Sequence, residues 1–163
     1  MRVHARYLLL LAFASALLAS ACGPPVDLTK GLKVDVISTG WFDAGIVDGK
    51  NKLVPQVSFT VRNISTQTLV SLQVNAVFRR NNEKEEWGSG LLTVAGSNGL
   101  APGAMTPTLS IKSTLGYTGT ESRAEMLQNT EFVDANVRLF SKYGSAQWVL
   151  VADAPIARTL IAP

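Results

Sequence analysis

One cysteine, Cys22, and one histidine, His4, are the only residues of their types in a chain of 163. Nucleophilic triads need an imidazole base, and zinc sites draw mainly on cysteine and histidine. Beyond position 22 neither type occurs, so the chemistry left is that of carboxylates, lysines, tyrosines and serines. Two carboxylates about 5 to 10 Å apart could serve a glycosidase. However, Glu83, Glu85 and Glu86 share a polar crossing with Arg79, Arg80 and Lys84, the composition of a solvated charged turn. Asp134 alternates outward on a strand. Asp43-Ala44-Gly45-Ile46-Val47-Asp48-Gly49 offers oxygens to calcium but lacks the dense acidic spacing and late bidentate Glu of an EF-hand. The chain is therefore expected to be no enzyme and to hold neither metal nor cofactor.

The least expected stretch is Leu115-Gly116-Tyr117-Thr118-Gly119-Thr120-Glu121-Ser122-Arg123. No core requires a tyrosine between two glycines followed by a charged helical turn, so Tyr117, Glu121 and Arg123 are candidate recognition residues. The plainer alternative has Tyr117 covering a sheet edge, with Glu121 and Arg123 as solvated charges at a helix end. Trp41, Trp87 and Trp148 sit in or beside predicted strands and read as core or sheet-face residues.

At the amino terminus, Arg2 and Arg6 precede an apolar run over residues 7–18 that ends in Ala19, Ser20 and Ala21. This is the pattern of a secretory signal peptide. A membrane-spanning helix needs about 20 apolar residues, and Gly23-Pro24-Pro25 stops the run short of that. The segment Leu18-Ala19-Ser20-Ala21-Cys22 resembles the lipobox of bacterial lipoproteins, with Leu18 one place earlier than is usual. That resemblance implies a lipid on the Cys22 thiol and attachment to a membrane. The alternative is an ordinary leader cut at the same bond, releasing a soluble protein with a free Cys22. A lone terminal thiol in an oxidising compartment invites unwanted pairing, whereas an acylated sulfur does not, which favours lipidation.

The chain then divides into a signal peptide over residues 1–21, a lipidated cysteine and tether over 22–30, and one domain over 31–163. Of the 15 basic residues Arg2 and Arg6 lie in the leader, which leaves 13 against 12 acidic ones. A nearly neutral domain with scattered cations is a poor match for nucleic acid.

Within the domain, short alternating runs predominate. Residues 33–37 alternate and continue through Trp41-Phe42 as a first strand, and residues 43–52 read as an exposed loop. Val57, Phe59 and Val61 share one face, residues 63–66 turn the chain, and Val70, Leu72, Val74, Ala76 and Phe78 share the next. That pair reads as a hairpin. Further strands are predicted over 87–94, 108–112, 133–139, 147–152 and 156–161, with one short helix over 122–129 capped by Thr120 or Ser122. The fold class is all-β: an immunoglobulin-like antiparallel β-sandwich of seven to eight strands.

Val57-Ser58-Phe59-Thr60-Val61-Arg62-Asn63, then Val74-Asn75-Ala76-Val77-Phe78-Arg79, then Ala101-Pro102-Gly103 resemble the bacterial FxLYD-type immunoglobulin-like domains, with Phe78-Arg79 at the naming tyrosine-aspartate. The resemblance implies a sandwich frequent in small exported lipoproteins and supplies no catalytic residues. It leads to the expectation of a lipid-anchored envelope module docking on another envelope protein, with a periplasmic small-ligand or glycan binder as the alternative. Gly23 replaces the aspartate that retains the resembled lipoproteins at the inner membrane, which implies an outer-membrane address facing the periplasm.

Overall fold

A computed structural model describes residues 26–161. Two sheets face each other, one of five strands in the order β5-β2-β1-β9 with β6 also on β2, the other in the order β4-β3-β7-β8. The strands are β1 (Leu32–Val47), β2 (Lys50–Asn63), β3 (Leu72–Arg80), β4 (Gly88–Ala95), β5 (Leu109–Lys112), β6 (Tyr117–Gly119), β7 (Ala135–Tyr143), β8 (Val149–Pro155) and β9 (Leu160–Ile161). Two short helices, α1 (Leu28–Gly31) and α2 (Arg123–Gln128), complete the described elements. The all-β, immunoglobulin-like sandwich read from the sequence is the fold observed, with a small ninth strand and, in α1, an additional one-turn helix.

The core lies between the sheets. Leu53, Val57, Phe59 and Val61 of β2 meet Leu72, Val74, Ala76 and Phe78 of β3 and Val137 and Leu139 of β7, all fully buried. Strand β1 keeps its apolar residues inward only because of a bulge. Val36 pairs with Phe59, Ser38 with Ser58 and Thr39 with Val57, so Ile37 is the extra residue and is 58% exposed. The inward phase passes from Val34 and Val36 to Thr39 and Trp41, as one inserted residue requires.

Two sequence expectations are corrected. Residues 43–52 are not a loop, because β1 and β2 run on to a two-residue turn at Asp48-Gly49, where φ is 51° and 74°. Asp-Gly with both residues in the left-handed region suits the tight hairpin that matches strand twist. Nor do residues 57–61 and 70–78 form a hairpin, since β2 and β3 belong to opposite sheets. Asn63 decides this. Its buried side-chain amide donates to the carbonyls of Gln67 and Leu100, both at 2.7 Å, and its Oδ1 accepts from the amide and hydroxyl of Ser65. These bonds carry the chain across the sandwich instead of back along its own sheet.

The folded part also begins earlier than residue 31. Asp27 caps α1 by accepting from the Thr29 amide at 3.0 Å, and Leu28 is buried, while Val26 packs on the core. At α2 the cap is Ser122, in a reciprocal capping box with Glu125.

Candidate functional site

Just past the middle of β1, four rings pack together: Trp41, Trp87, Tyr117 and Phe132. Trp41 lies 4.6 Å from Phe132 and 5.6 Å from Tyr117, and Tyr117 lies 4.9 Å from Trp87 and 4.6 Å from Phe132, centroid to centroid. Gly116 lets this happen. It lies so close to the Leu53 carbonyl that a Cβ would collide with it, and only a glycine lets β6 run along β2. The Tyr117 hydroxyl then donates to the Val133 carbonyl at 3.1 Å. Burial raises the pKa of this phenol above its ordinary value, against the opposing pull of Arg80.

Outward of this cluster lies a cleft of about 180 Å³ lined by Tyr117, Thr118, Gly119, Glu121, Met126, Asn129, Glu131 and Phe132. The structure thus brings two of the three predicted recognition residues, Tyr117 and Glu121, to one concavity. Arg123 is excluded from it: its Nε donates to Asp43 Oδ2 at 2.7 Å, pinning α2 to the β1–β2 arm. Asp43 also accepts from the Gly45 amide, and that bond and Arg123 hold its carboxyl below the usual range. Both carboxylate oxygens of Asp43 are thus engaged within the chain, and no group of three or more His, Cys, Asp or Glu side chains that could hold a metal occurs among the described residues.

Met126, Asn129, Glu131 and Phe132 of the cleft were not singled out from the sequence. They come from α2 and the segment after it, and nothing in their spacing shows which strand they will face. Of the ring residues named from the sequence, only Tyr117 lines the cleft. Trp41 is fully buried, Trp87 is half-buried beneath Arg80, and Trp148 stands beside Lys142 on the other sheet. They form no common stacking platform.

A second surface is the outer face of the four-stranded sheet. Register places Leu91 opposite Asn75, Asn75 opposite Phe140, and Phe140 opposite Leu150, one cross-strand row over all four strands. Leu91 is 61% exposed, Leu150 41% and the nearby Trp148 39%. The Arg138 guanidinium lies 5.2 Å from the Phe140 ring centroid, and Lys142 lies 5.2 Å from that of Trp148. One end of the face opens into a groove lined by Arg79, Lys84 and Arg138 together with Glu83 and Asp153. Phe140 lies beyond the strand predicted over 133–139; β7 runs on to Tyr143, and with Val137 and Leu139 inward a period of two turns Phe140 outward.

Cys22, the residue read as the lipid site, lies outside the described residues. No helix among the described residues is long and apolar enough to cross a membrane. Neither a family model nor a curated protein matches the chain. Among solved structures it is similar to the X-ray structure of Northeast Structural Genomics Consortium target SoR45, with a TM-score of 0.44 and 15% identity over 80% of this chain and 89% of that one.

Proposed function

We propose that this chain is a lipid-anchored, non-enzymatic module of the bacterial envelope that docks on another envelope protein through the outer face of its four-stranded sheet. The observation that supports the reading is the row Leu91, Phe140 and Leu150, with Trp148 beside it. Asn75 stands between Leu91 and Phe140, but a solvated sheet face ordinarily carries polar residues throughout, and large exposed apolar side chains flanked by charge are the character of an interaction surface. Arg79, Lys84, Arg138 and Lys142 outnumber Glu83 and Asp153 on this face, so the complementary partner is a protein with an apolar strip inside an acidic rim.

The anchor is the lipid on Cys22, and the outer membrane facing the periplasm is the address that the leader and Gly23 support. Three residues separate Cys22 from Val26, which already packs on the core, and four steps along the chain span at most about 14 Å. In this reading α1 lies near the membrane. The β1–β2 hairpin and the cleft point away from it, and the docking face stands roughly upright.

Photo-crosslinking in intact cells tests the docking role. A photoreactive residue at position 91 or 150 is expected to yield one discrete adduct with an acidic envelope protein. That adduct should vanish on charge reversal in Arg138→Glu/Lys142→Glu. Adducts absent at both positions, or unaffected by charge reversal, would overturn the reading.

A further inference from the structure

We infer that the α1 end of the sandwich is a lipid-contacting surface that seats on a membrane bearing anionic headgroups. The inference rests on the Cys22 anchor of the preceding reading and deepens it. Three connections form that end, over residues 64–71, 96–108 and 144–148, because β2, β4 and β7 stop there and β3, β5 and β8 start there. Backbone bonds tie them into one surface. The amide of Leu69 donates to the Leu100 carbonyl at 3.0 Å, that of Ser71 to Gly96 at 3.1 Å, that of Gly144 to Ser71 at 3.2 Å, and that of Ile64 to Gly31 of α1 at 3.0 Å.

Charge is the first reason. None of these connections contains a Lys, Arg, Asp or Glu, whereas the segments 48–49, 81–87 and 120–134 at the opposite end carry ten between them. Of the 12 acidic residues only Asp27 and Asp35 lie in the α1 half, and each is ion-paired, with Lys30 at 3.8 Å and with Lys33 at 3.1 Å. Arg62 and Lys142, each one residue short of a strand end, make no ion pair among the described residues. The end is therefore uncharged across its loops and positive at its rim. A bilayer surface favours this distribution, because a charge pressed against the low-dielectric interior is costly while cations beside it gain from anionic headgroups.

Exposed apolar side chains are the second reason. Ile64 is 52% exposed, Met105 51% and Val70 39%, and Trp148 stands at the corner shared with the docking face. Arg62 donates to Met105 Sδ at 3.5 Å, which keeps a cation beside an apolar side chain, the pairing suited to the headgroup level. Reach is the third reason, and it favours lipid over protein as the occupant. Val26 lies against Gly31 at this end, and the four steps from Cys22 to Val26 span at most about 14 Å. A folded partner domain, about 30 Å across, does not fit between this end and the membrane.

The test uses the full lipid-bearing chain in vesicles of phosphatidylcholine and phosphatidylglycerol. The lipid occupies the Cys22 thiol, so a cysteine introduced by Ile64→Cys or Val70→Cys is the one thiol open to a fluorophore. Ile46→Cys, at the opposite end and 70% exposed, is the control. A nitroxide high on the lipid acyl chain should quench the labels at 64 and 70 at least about threefold more than the label at 46. Arg62→Glu should cut the quenching at 70 by about half, and so should vesicles of phosphatidylcholine alone.

Quenching at 64 and 70 no greater than at 46, in chains that stay on the vesicles, would overturn the inference and leave the anchor standing. Quenching indifferent both to Arg62→Glu and to phosphatidylglycerol would also overturn it, since no anionic headgroup would then be engaged. Chains that leave the vesicles altogether would overturn the anchor, and this inference with it.

Discussion

The side-chain amide of Asn63 reaches the backbone carbonyl of Leu100 at 2.7 Å, joining the end of β2 to a loop 37 residues further along the chain. Asn63 is fully buried, and its remaining bonds hold the carbonyl of Gln67 and the amide of Ser65. Asn63→Ala would strand these groups without water, so a loss of about 2–4 kcal/mol is expected. Urea denaturation measures it. A loss under about 0.5 kcal/mol would show that the corner does not depend on this side chain.

Trp41 is fully buried, yet its indole Nε1 has no hydrogen-bond partner among the described residues. Trp41→Phe therefore removes volume and no bond, and it should cost less than about 1.5 kcal/mol. Trp41→Ala should cost about 3–5 kcal/mol, because it empties the centre of the ring cluster. Thermal unfolding of both variants separates packing from polar contact, and equal losses would refute the distinction.

Acid should loosen the α2 end first. Asp43 is held below its ordinary value of 3.8 by the Gly45 amide and then Arg123, and Glu125 below 4.5 by Ser122. A carboxyl lowered by folding contributes its full stability above the unfolded value and loses it as pH falls through the folded one. Stability should be flat from neutrality to about pH 4.5 and decline below. Hydrogen exchange in α2 should rise there before exchange in β3 and β7. Asp43→Asn should reproduce part of the effect at pH 7, costing about 0.2–1 kcal/mol for an exposed pair.

On the outer sheet face, Leu91→Ser, Phe140→Ser and Leu150→Ser should each leave stability within about 0.5–1 kcal/mol, since these side chains cover no core. Phe140→Ser should nevertheless abolish the crosslinked adduct expected from position 150. A large fall in melting temperature with the adduct intact would assign the row to folding instead.

Cys22→Ser should abolish lipid anchoring, leaving the chain either uncut at the inner membrane or free in soluble fractions, and the domain should still fold, because the described core draws on residues from Val26 onward. Metabolic labelling with a fatty-acid analogue should mark the native chain and leave the variant unmarked. An unlabelled native chain found wholly in soluble fractions would refute the lipid anchor.

Much of the fold is legible along single strands. The alternation of Val57, Phe59 and Val61, and of Leu72, Val74, Ala76 and Phe78, specifies strands with one buried face, because side chains on extended backbone alternate by geometry. Ser122 with Glu125 three residues on specifies a helix start in the same local way. The choice of sheet is another matter. A short polar turn between two strands favours a hairpin until a buried Asn63 binds Leu100, and the identity of that carbonyl depends on the whole sandwich. The bulge at Ile37 is equally hidden, since one extra residue leaves composition unchanged and only pairing with β2 reveals the shift in phase.

Within the candidate sites, Tyr117 and Glu121 stood out because local strand and helix requirements left them unexplained. Arg123 stood out for the same reason and was claimed by Asp43, 80 residues away. Residue types determined what chemistry is absent beyond Cys22, where no imidazole or thiol remains, because those types are counted without folding anything. Which carboxylates stay unpaired was decided only by the tertiary structure. Each charge falls off with distance through water and protein, and the distances from Arg80, Arg123 and Arg158 to their partners are set by how two sheets and a short helix pack.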